Sequence, residues 1–292
     1  MLRDLRYFIQ ISRPVNVFIS LLAFAVSCML ANHGSLHFVT NGGFWATALT
    51  IAFIAATGYW INDVYDFRID RINKPSKTVV NAILSVKKVM TMYLFTLGGI
   101  ITFTGLVIGW YMGYYHITFI NALSMLLLFV YASYLKRIGV AGNLTISFLI
   151  ALVILLAGYL YELTIPLIWA MVFAFEITLI REITKDVEDI RGDLSFQLRT
   201  LPIQIGIRQT KYVLLGLYLA FIFSTYLPVA VQYWKSGDLL WMYLLSSLLL
   251  VQAPAAYLIW RMIRSSDPRD FSFQSQGLKL VMVLGMVTLF FL

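Results

Sequence analysis

Long apolar runs recur along the whole chain, and they decide which solvent it can fold in. A bilayer core is about 30 Å thick, so at 1.5 Å per residue a helix needs about 20 apolar residues to cross it. Nine runs meet that requirement: residues 14–31, 44–64, 86–110, 117–135, 140–160, 165–184, 210–231, 239–261 and 273–292. Hydrocarbon offers the backbone no hydrogen-bond partners, so each run is expected to be a helix, and the fold class is expected to be all-α: a polytopic membrane protein of nine transmembrane helices. Charged residues are 12% of the chain, about half the roughly 25% of a soluble domain, as expected if water covers only the loops. Pro254 falls inside the eighth run, where neighbouring helices can satisfy the carbonyl it frees. The single cysteine, Cys28, allows no intramolecular disulfide, so helix packing must hold the fold. Met1 to Arg13 lead into a full-length apolar stretch with no small-residue cleavage site, which argues against a removable signal peptide.

Lysine and arginine accumulate in cytoplasmic loops. Here they alternate: Arg3, Arg6 and Arg13; then Arg68, Arg71, Lys74, Lys77, Lys87 and Lys88; then Lys136 and Arg137; then Arg181, Lys185, Arg191, Arg199, Arg208 and Lys211; then Arg261, Arg264 and Arg269. The intervening loops, 32–43, 111–116, 161–165 and 232–238, hold only Lys235. This alternation places the N-terminus in the cytoplasm, the C-terminus outside and the chain in the cell membrane. It also accounts for the net charge of +8 without nucleic acid as a partner, because the basic residues sit in short loops rather than on a polar domain. His33, His37 and His116 all fall in the external loops, so no histidine metal site is expected.

Eight of the 14 acidic residues occupy two short segments, Asp63, Asp66 and Asp70, and Glu182, Asp186, Glu188, Asp189 and Asp193. In each segment three aspartates repeat at i, i+3 and i+7, a spacing that sets them along one helical face about 10 Å long. Both rows end a membrane run on the cytoplasmic side, four spans apart. Adjacent carboxylates repel one another unless a cation intervenes. Magnesium suits them, since it takes hard oxygen ligands and is typically held by one or two carboxylates plus substrate phosphates. Lys74, Lys77, Lys185, Lys136, Arg137 and Arg68 stand close in sequence or on the same face and would neutralise phosphate oxygens or pair with the aspartates. Asn62 and Asn143 can hold a phosphate oxygen, a metal ligand or a helix end.

Asn62-Asp63-Val64-Tyr65-Asp66-Phe67-Arg68-Ile69-Asp70 resembles the N-D-x-x-D-x-x-x-D motif of the UbiA superfamily of intramembrane prenyltransferases. Asp186-Val187-Glu188-Asp189-Ile190-Arg191-Gly192-Asp193 resembles that family's second motif, D-x-x-D-x-x-x-D. Motif placement, span count and length agree over nearly the whole chain, which is expected to be one domain, residues 1–292. The resemblance implies helices around a central apolar cavity open to membrane lipids, with the active site facing the cytoplasm. It further implies that Asp63, Asp66, Asp70, Asp186, Asp189 and Asp193 hold Mg2+ against the diphosphate of a prenyl donor. Tyr131 and Tyr134, in a segment similar to one that faces the family's cavity, would offer their π faces to the allylic cation. Asn62, Arg68, Lys74, Lys136, Arg137, Asn143 and Lys185 would contact substrate.

Ile69-Asp70-Arg71-Ile72-Asn73-Lys74-Pro75 and the run Arg181 to Asp193 look most like the branch that moves a geranylgeranyl group to the hydroxyl of geranylgeranylglyceryl phosphate, so a lipid-soluble alcohol is the expected acceptor. Aromatic, quinone-precursor or tetrapyrrole acceptors are the alternative within the family, and a divalent-cation transporter lined by intramembrane acids is the alternative outside it. Two stretches depart from the family pattern. Ser76-Lys77-Thr78-Val79-Val80-Asn81 replaces an arginine-proline stretch, and Gln197 stands where glycine is common, so the loop toward Thr200-Leu201-Pro202 is expected to take another path.

Overall fold

The computed structural model describes residues 2–76 and 78–292, with the side chains of Leu2 and Arg3 outside that description, as is Lys77. The described residues form helices and no strands; only two isolated bridges, Val80 with Leu84 and Ile138 with Arg199, break the pattern. In chain order the helices are α1 (Leu2–Ile11), α2 (Pro14–Ala31), α3 (Gly42–Asn73), α4 (Val86–Phe103), α5 (Tyr115–Ser133), α6 (Ala141–Leu160) and α7 (Ile165–Glu188). There follow α8 (Ile190–Ser195), α9 (Leu201–Ser224), α10 (Leu227–Ser236), α11 (Trp241–Ser247), α12 (Ala253–Arg264) and α13 (Phe271–Thr288). π-Helical turns extend α4 through Thr104–Tyr111 and join α11 to α12 through Leu248–Gln252. Each of the nine expected runs is helical. Eight helical rods among the described residues are long and apolar enough to cross a membrane. The other run, in α7, is a helix of 24 residues, but Glu176, Arg181 and Glu182 fall in its middle and second half, so its composition differs from the rest.

The helices group into two compact units, Met1–Lys136 with Leu152–Leu163, and Arg137–Ala151 with Thr164–Leu292. In the first, α3 is the organiser. Asn41 caps it by accepting from Gly43 N–H at 2.8 Å, and Lys74 ends it just before Pro75, which cannot continue a helix. Its 32 residues make a rod about 48 Å long, more than a bilayer core is thick, and Asp63, Asp66 and Asp70 lie in its last third. Gly58 lets Leu128 of α5 nest on bare backbone, where a Cβ would come within 2.9 Å of it. At the acidic end α1 packs through Phe8, whose ring meets Trp60 edge-on at 5.3 Å, while Trp60 Nε1–H donates to Ser12 Oγ at 2.8 Å. The departing segment after Pro75 is anchored too: Val79, Val80 and Leu84 are buried in the same core, and Arg71 donates to the Asn81 carbonyl at 2.8 Å.

In the second unit α7 holds the centre. Ile177, Ile180, Ile183 and Val187 share a core with Leu214, Tyr218 and Phe221 of α9, Leu258 and Met262 of α12, and Leu278 and Val281 of α13. Gly277 of α13 gives Leu258 the space that a Cβ, 2.7 Å away, would take. Gly206, at φ 82°, breaks the regular path of α9.

Candidate active site

The first aspartate row lies on the single helix α3, as its spacing predicts. Asp66 is buried, 4% exposed, and one of its oxygens, Oδ2, accepts from both Asn62 Nδ2 at 2.8 Å and the Lys136 ammonium. Lys136 sits in the turn Leu135–Arg137 that follows α5, so the pair joins residues 70 apart in sequence. Burial alone would lower the pKa of that ammonium, but Asp66, aided by Tyr131 and Asp70, raises it well above the usual lysine value and keeps it protonated. Asp63 Oδ1 accepts from Arg13 Nη2 at 2.7 Å. The Arg13 guanidinium also lies 4.8 Å over the Tyr59 ring. Its backbone, at φ 51° between α1 and α2, is left-handed, a conformation unusual for a side chain of this size. Asp70 feels Asp66, Lys136, Arg13 and Lys74 electrostatically.

The second row departs from the spacing argument in one respect. Asp186 belongs to α7, but Asp189 (φ −93°, ψ 5°) is the junction at which α7 ends, and Asp193 lies on the short α8. The three aspartates follow a bent path, not one continuous helix, although the Asp193 N–H still donates to the Asp189 carbonyl at 3.2 Å across the bend. Asn143 of α6, itself buried, donates from Nδ2 to Asp186 Oδ2 at 2.8 Å. Asp186 lies two residues past the apolar run, where burial pushes its carboxyl up to about 8; the Asn143 hydrogen bond opposes this, and Asp193 and Glu182 add to it. Glu182, 6% exposed, is bound on one side by Arg181 and on the other by Lys185 Nζ at 3.3 Å. Glu188 accepts from Ser275 Oγ of α13 at 3.1 Å.

Of the residues expected to contact substrate, Asn62 and Lys136 converge on Asp66, Asn143 on Asp186, and Lys185 on Glu182. Lys74 interacts with Asp70 at the end of α3. Tyr131 lies beside Lys136, partly buried against the core, whereas Tyr134 is 61% exposed where α5 ends. Arg137 and Arg68 are exposed, and the Arg68 guanidinium lies 5.5 Å over the Phe67 ring. Spacing does not mark Arg13, which reads as one more inside-positive residue; its contact with Asp63 spans 50 positions and leaves no local signal. Glu182 does carry one, since it stands four residues before Asp186 on the same helical face.

Among the described residues no three acidic, histidine or cysteine side chains stand together as a ready cage for a metal. The donor set fits magnesium all the same, because that ion is commonly held by one or two carboxylates with phosphate and water completing its shell. Asn62 Oδ1, buried and without a hydrogen-bond partner among the described residues, is a further hard oxygen beside Asp66.

A model of the UbiA prenyltransferase family matches residues 20–283. The chain belongs to that family. It is a prenyltransferase, an enzyme of the membrane. Among UbiA relatives, the digeranylgeranylglyceryl phosphate synthase of Korarchaeum cryptofilum is 30% identical over 223 residues, 76% of this chain and 75% of the relative. A solved structure of a digeranylgeranylglyceryl phosphate synthase shares the UbiA fold with a TM-score of 0.69 at 22% identity, covering 99% of this chain and 98% of that one. A UbiA homologue from Archaeoglobus fulgidus, solved bound to DMAPP and Mg2+, gives a TM-score of 0.61 at 15% identity and covers 97% of each chain.

Proposed function

We propose that this UbiA enzyme is a magnesium-dependent geranylgeranyltransferase whose acceptor is the free hydroxyl of a lipid alcohol such as geranylgeranylglyceryl phosphate. The observation that carries the reading is the recurrence of one device in both units: an aspartate at the end of a long helix, fixed by a carboxamide from Asn62 or Asn143 and accompanied by lysine. The relative that binds DMAPP with Mg2+ supports donor and metal, and the curated digeranylgeranylglyceryl phosphate synthase supports the acceptor.

In this reading the chain works as one domain, residues 1–292, with its N-terminus and active site at the cytoplasmic face of the cell membrane. The alternation of basic loops supports that orientation, and a single family match over residues 20–283 supports the unity of the domain. Asp63, Asp66, Asp70, Asp186, Asp189 and Asp193 would hold Mg2+, which would supply positive charge to neutralise the leaving diphosphate. Lys136, Lys185, Lys74, Arg68 and Arg137 bind the remaining diphosphate oxygens. Asn62 and Asn143 hold Asp66 and Asp186 in one rotamer, so that the carboxylates meet the charge already oriented. Tyr131, partly buried beside Lys136, faces the allylic cation with its ring, while the exposure of Tyr134 leaves it at most at the mouth of the apolar chamber that keeps water from quenching the cation. As the donor carbon–oxygen bond breaks, diphosphate leaves with the electron pair; the acceptor hydroxyl forms the new carbon–oxygen bond and its proton passes to the departing diphosphate, the base the reaction itself supplies.

Purified enzyme incubated with labelled geranylgeranyl diphosphate, magnesium and a panel of lipid-alcohol, quinone-precursor and porphyrin acceptors tests this, with mass spectrometry identifying the product. A digeranylgeranyl lipid that disappears in chelator is expected. Product only from an aromatic or porphyrin acceptor overturns the acceptor assignment, and no turnover of any prenyl diphosphate overturns the reading as a whole.

A further inference from the structure

Four acidic residues of the second unit, not three, follow a helical spacing in sequence, Glu182, Asp186, Asp189 and Asp193 at i, i+4, i+7 and i+11, and the first two lie on one face of α7 before the bend at Asp189. Glu182 is set apart by its partners. Its carboxylate is 6% exposed and is bound on one oxygen by Arg181 Nη1 and on the other by Lys185 Nζ at 3.3 Å. The side chains of those cations are themselves 15% and 27% exposed. A carboxylate held between two cations is a poor candidate for a metal ligand, since moving it to a metal would leave two positive charges behind in a largely desolvated place. The trio carries a net single positive charge, and Lys185 is its more accessible end. A lysine ammonium on a free four-carbon stem samples many rotamers, so an anchor near its tip reduces what must be ordered when an anion arrives.

We infer that Glu182 is a positioning residue for the prenyl diphosphate: it holds the Lys185 ammonium, backed by Arg181, at the head of the second aspartate row, and it acts on the anion through Lys185 and not through the metal. The inference rests on the proposed donor.

The test separates the two. Binding of magnesium pyrophosphate to the purified full chain is measured by calorimetry for wild type, Glu182→Gln, Lys185→Gln and the double variant, alongside kcat/KM for labelled geranylgeranyl diphosphate and the magnesium concentration giving half-maximal rate. Glu182→Gln is expected to weaken pyrophosphate binding and kcat/KM by about 10- to 100-fold, as loss of an outer-shell partner does. In the Lys185→Gln background the same substitution is expected to add less than about a factor of two, because coupled residues are non-additive. Half-activating magnesium should stay within about twofold of wild type, since Glu182 acts on the anion through Lys185, whereas loss of a partner that supports a metal ligand shifts it about 10- to 100-fold. Unchanged pyrophosphate binding, full additivity with Lys185→Gln, or a tenfold shift in magnesium each overturn the inference. Should Glu182→Gln fail to fold, Glu182→Asp carries the same measurements: it keeps the charge but draws it one methylene back from Lys185, and binding equal to wild type overturns the inference. A wild-type chain that binds magnesium pyrophosphate yet transfers no prenyl group contradicts the donor reading alone, while the coupling of Glu182 to Lys185 is still decided by calorimetry.

Discussion

The two aspartate rows repeat one spacing in two different electrostatic settings. In the first unit the carboxylates meet full charges: Arg13 reaches Asp63 and Lys136 reaches Asp66. In the second, Asp186 meets the neutral carboxamide of Asn143, while Arg181 and Lys185 bind Glu182. Equal spacing therefore does not mean equal chemistry. In the proposed function, a magnesium ion at the first row would share its oxygens with cations already there. At the second row it would meet a carboxyl whose hydrogen-bond partner is a neutral carboxamide and which burial holds toward its protonated form, so it would displace a proton rather than a cation.

The widest test of that contrast removes one carboxylate from each row. Asp66→Ala and Asp189→Ala are each expected to lower kcat/KM about 10³-fold or more, roughly 4 kcal/mol of transition-state stabilisation, while circular dichroism shows unchanged helix content. If one variant keeps turnover near wild type, the rows are not joint partners in the chemistry, and only the surviving row deserves the assignment. A smaller effect separates their partners. In chelator, Lys136→Gln strips a counter-ion from a buried carboxylate and should cost about 1–3 kcal/mol, whereas Asn143→Ala removes a neutral hydrogen bond worth about 1 kcal/mol. Melting temperatures in detergent compare the two directly, and a larger drop for Asn143→Ala would reverse the ranking of the rows.

The sequence makes these two environments only partly legible. Helix positions follow from apolar run length because hydrocarbon allows few alternatives, and all nine expected runs are helical. Helix ends are less legible. The apolar count stops the second run at residue 64, but α3 continues to Asn73, because Asp66, Arg68 and Asp70 are compatible with a helix that has left the hydrocarbon. In the second row the bend at Asp189 has no proline or adjacent glycine to announce it. The aspartates themselves are conspicuous as a local repeat. Arg13 is not, since nothing near it in sequence points to Asp63, and only tertiary packing of Phe8 and Ser12 on Trp60 brings it there. Tyr134 shows the opposite case: its place beside Tyr131 in sequence suggests a shared role, yet the helix ends at Ser133 and leaves it largely exposed.

The burial of Asp186 sharpens the contrast through pH. Burial pushes its carboxyl up from 3.8 to about 8. Between those values the unfolded chain has released a proton that the folded chain retains, so stability falls as pH rises through that window and levels off above it. In chelator, the melting temperature of wild type is expected to decline between pH 5 and pH 8 more steeply than that of Asp186→Asn, and saturating magnesium should flatten the difference. Parallel pH profiles for the two proteins would show that Asp186 ionises normally and that the second row is as well neutralised as the first.

The smallest expected effect concerns backbone rather than charge, and it again sets one unit against the other. Arg13 in the first unit and Gln197 in the second both hold left-handed φ values, 51° and 54°. At Arg13 the ion pair with Asp63 and the contact with Tyr59 can offset the strain, so glycine there would remove two interactions along with it. Gln197 is exposed in the loop between α8 and α9, and glycine, the residue the family pattern favours at this place, takes the same conformation freely. A left-handed residue with a side chain costs about 1–2 kcal/mol, and glycine gives back about 0.5–1 in unfolded-state entropy, so Gln197→Gly should stabilise the second unit by up to about 1 kcal/mol. Arg13→Gly should instead lower both melting temperature and turnover. A gain of stability from Arg13→Gly would mean that its left-handed backbone costs more than its contacts return, and the guanidinium would then be an incidental neighbour of the first row.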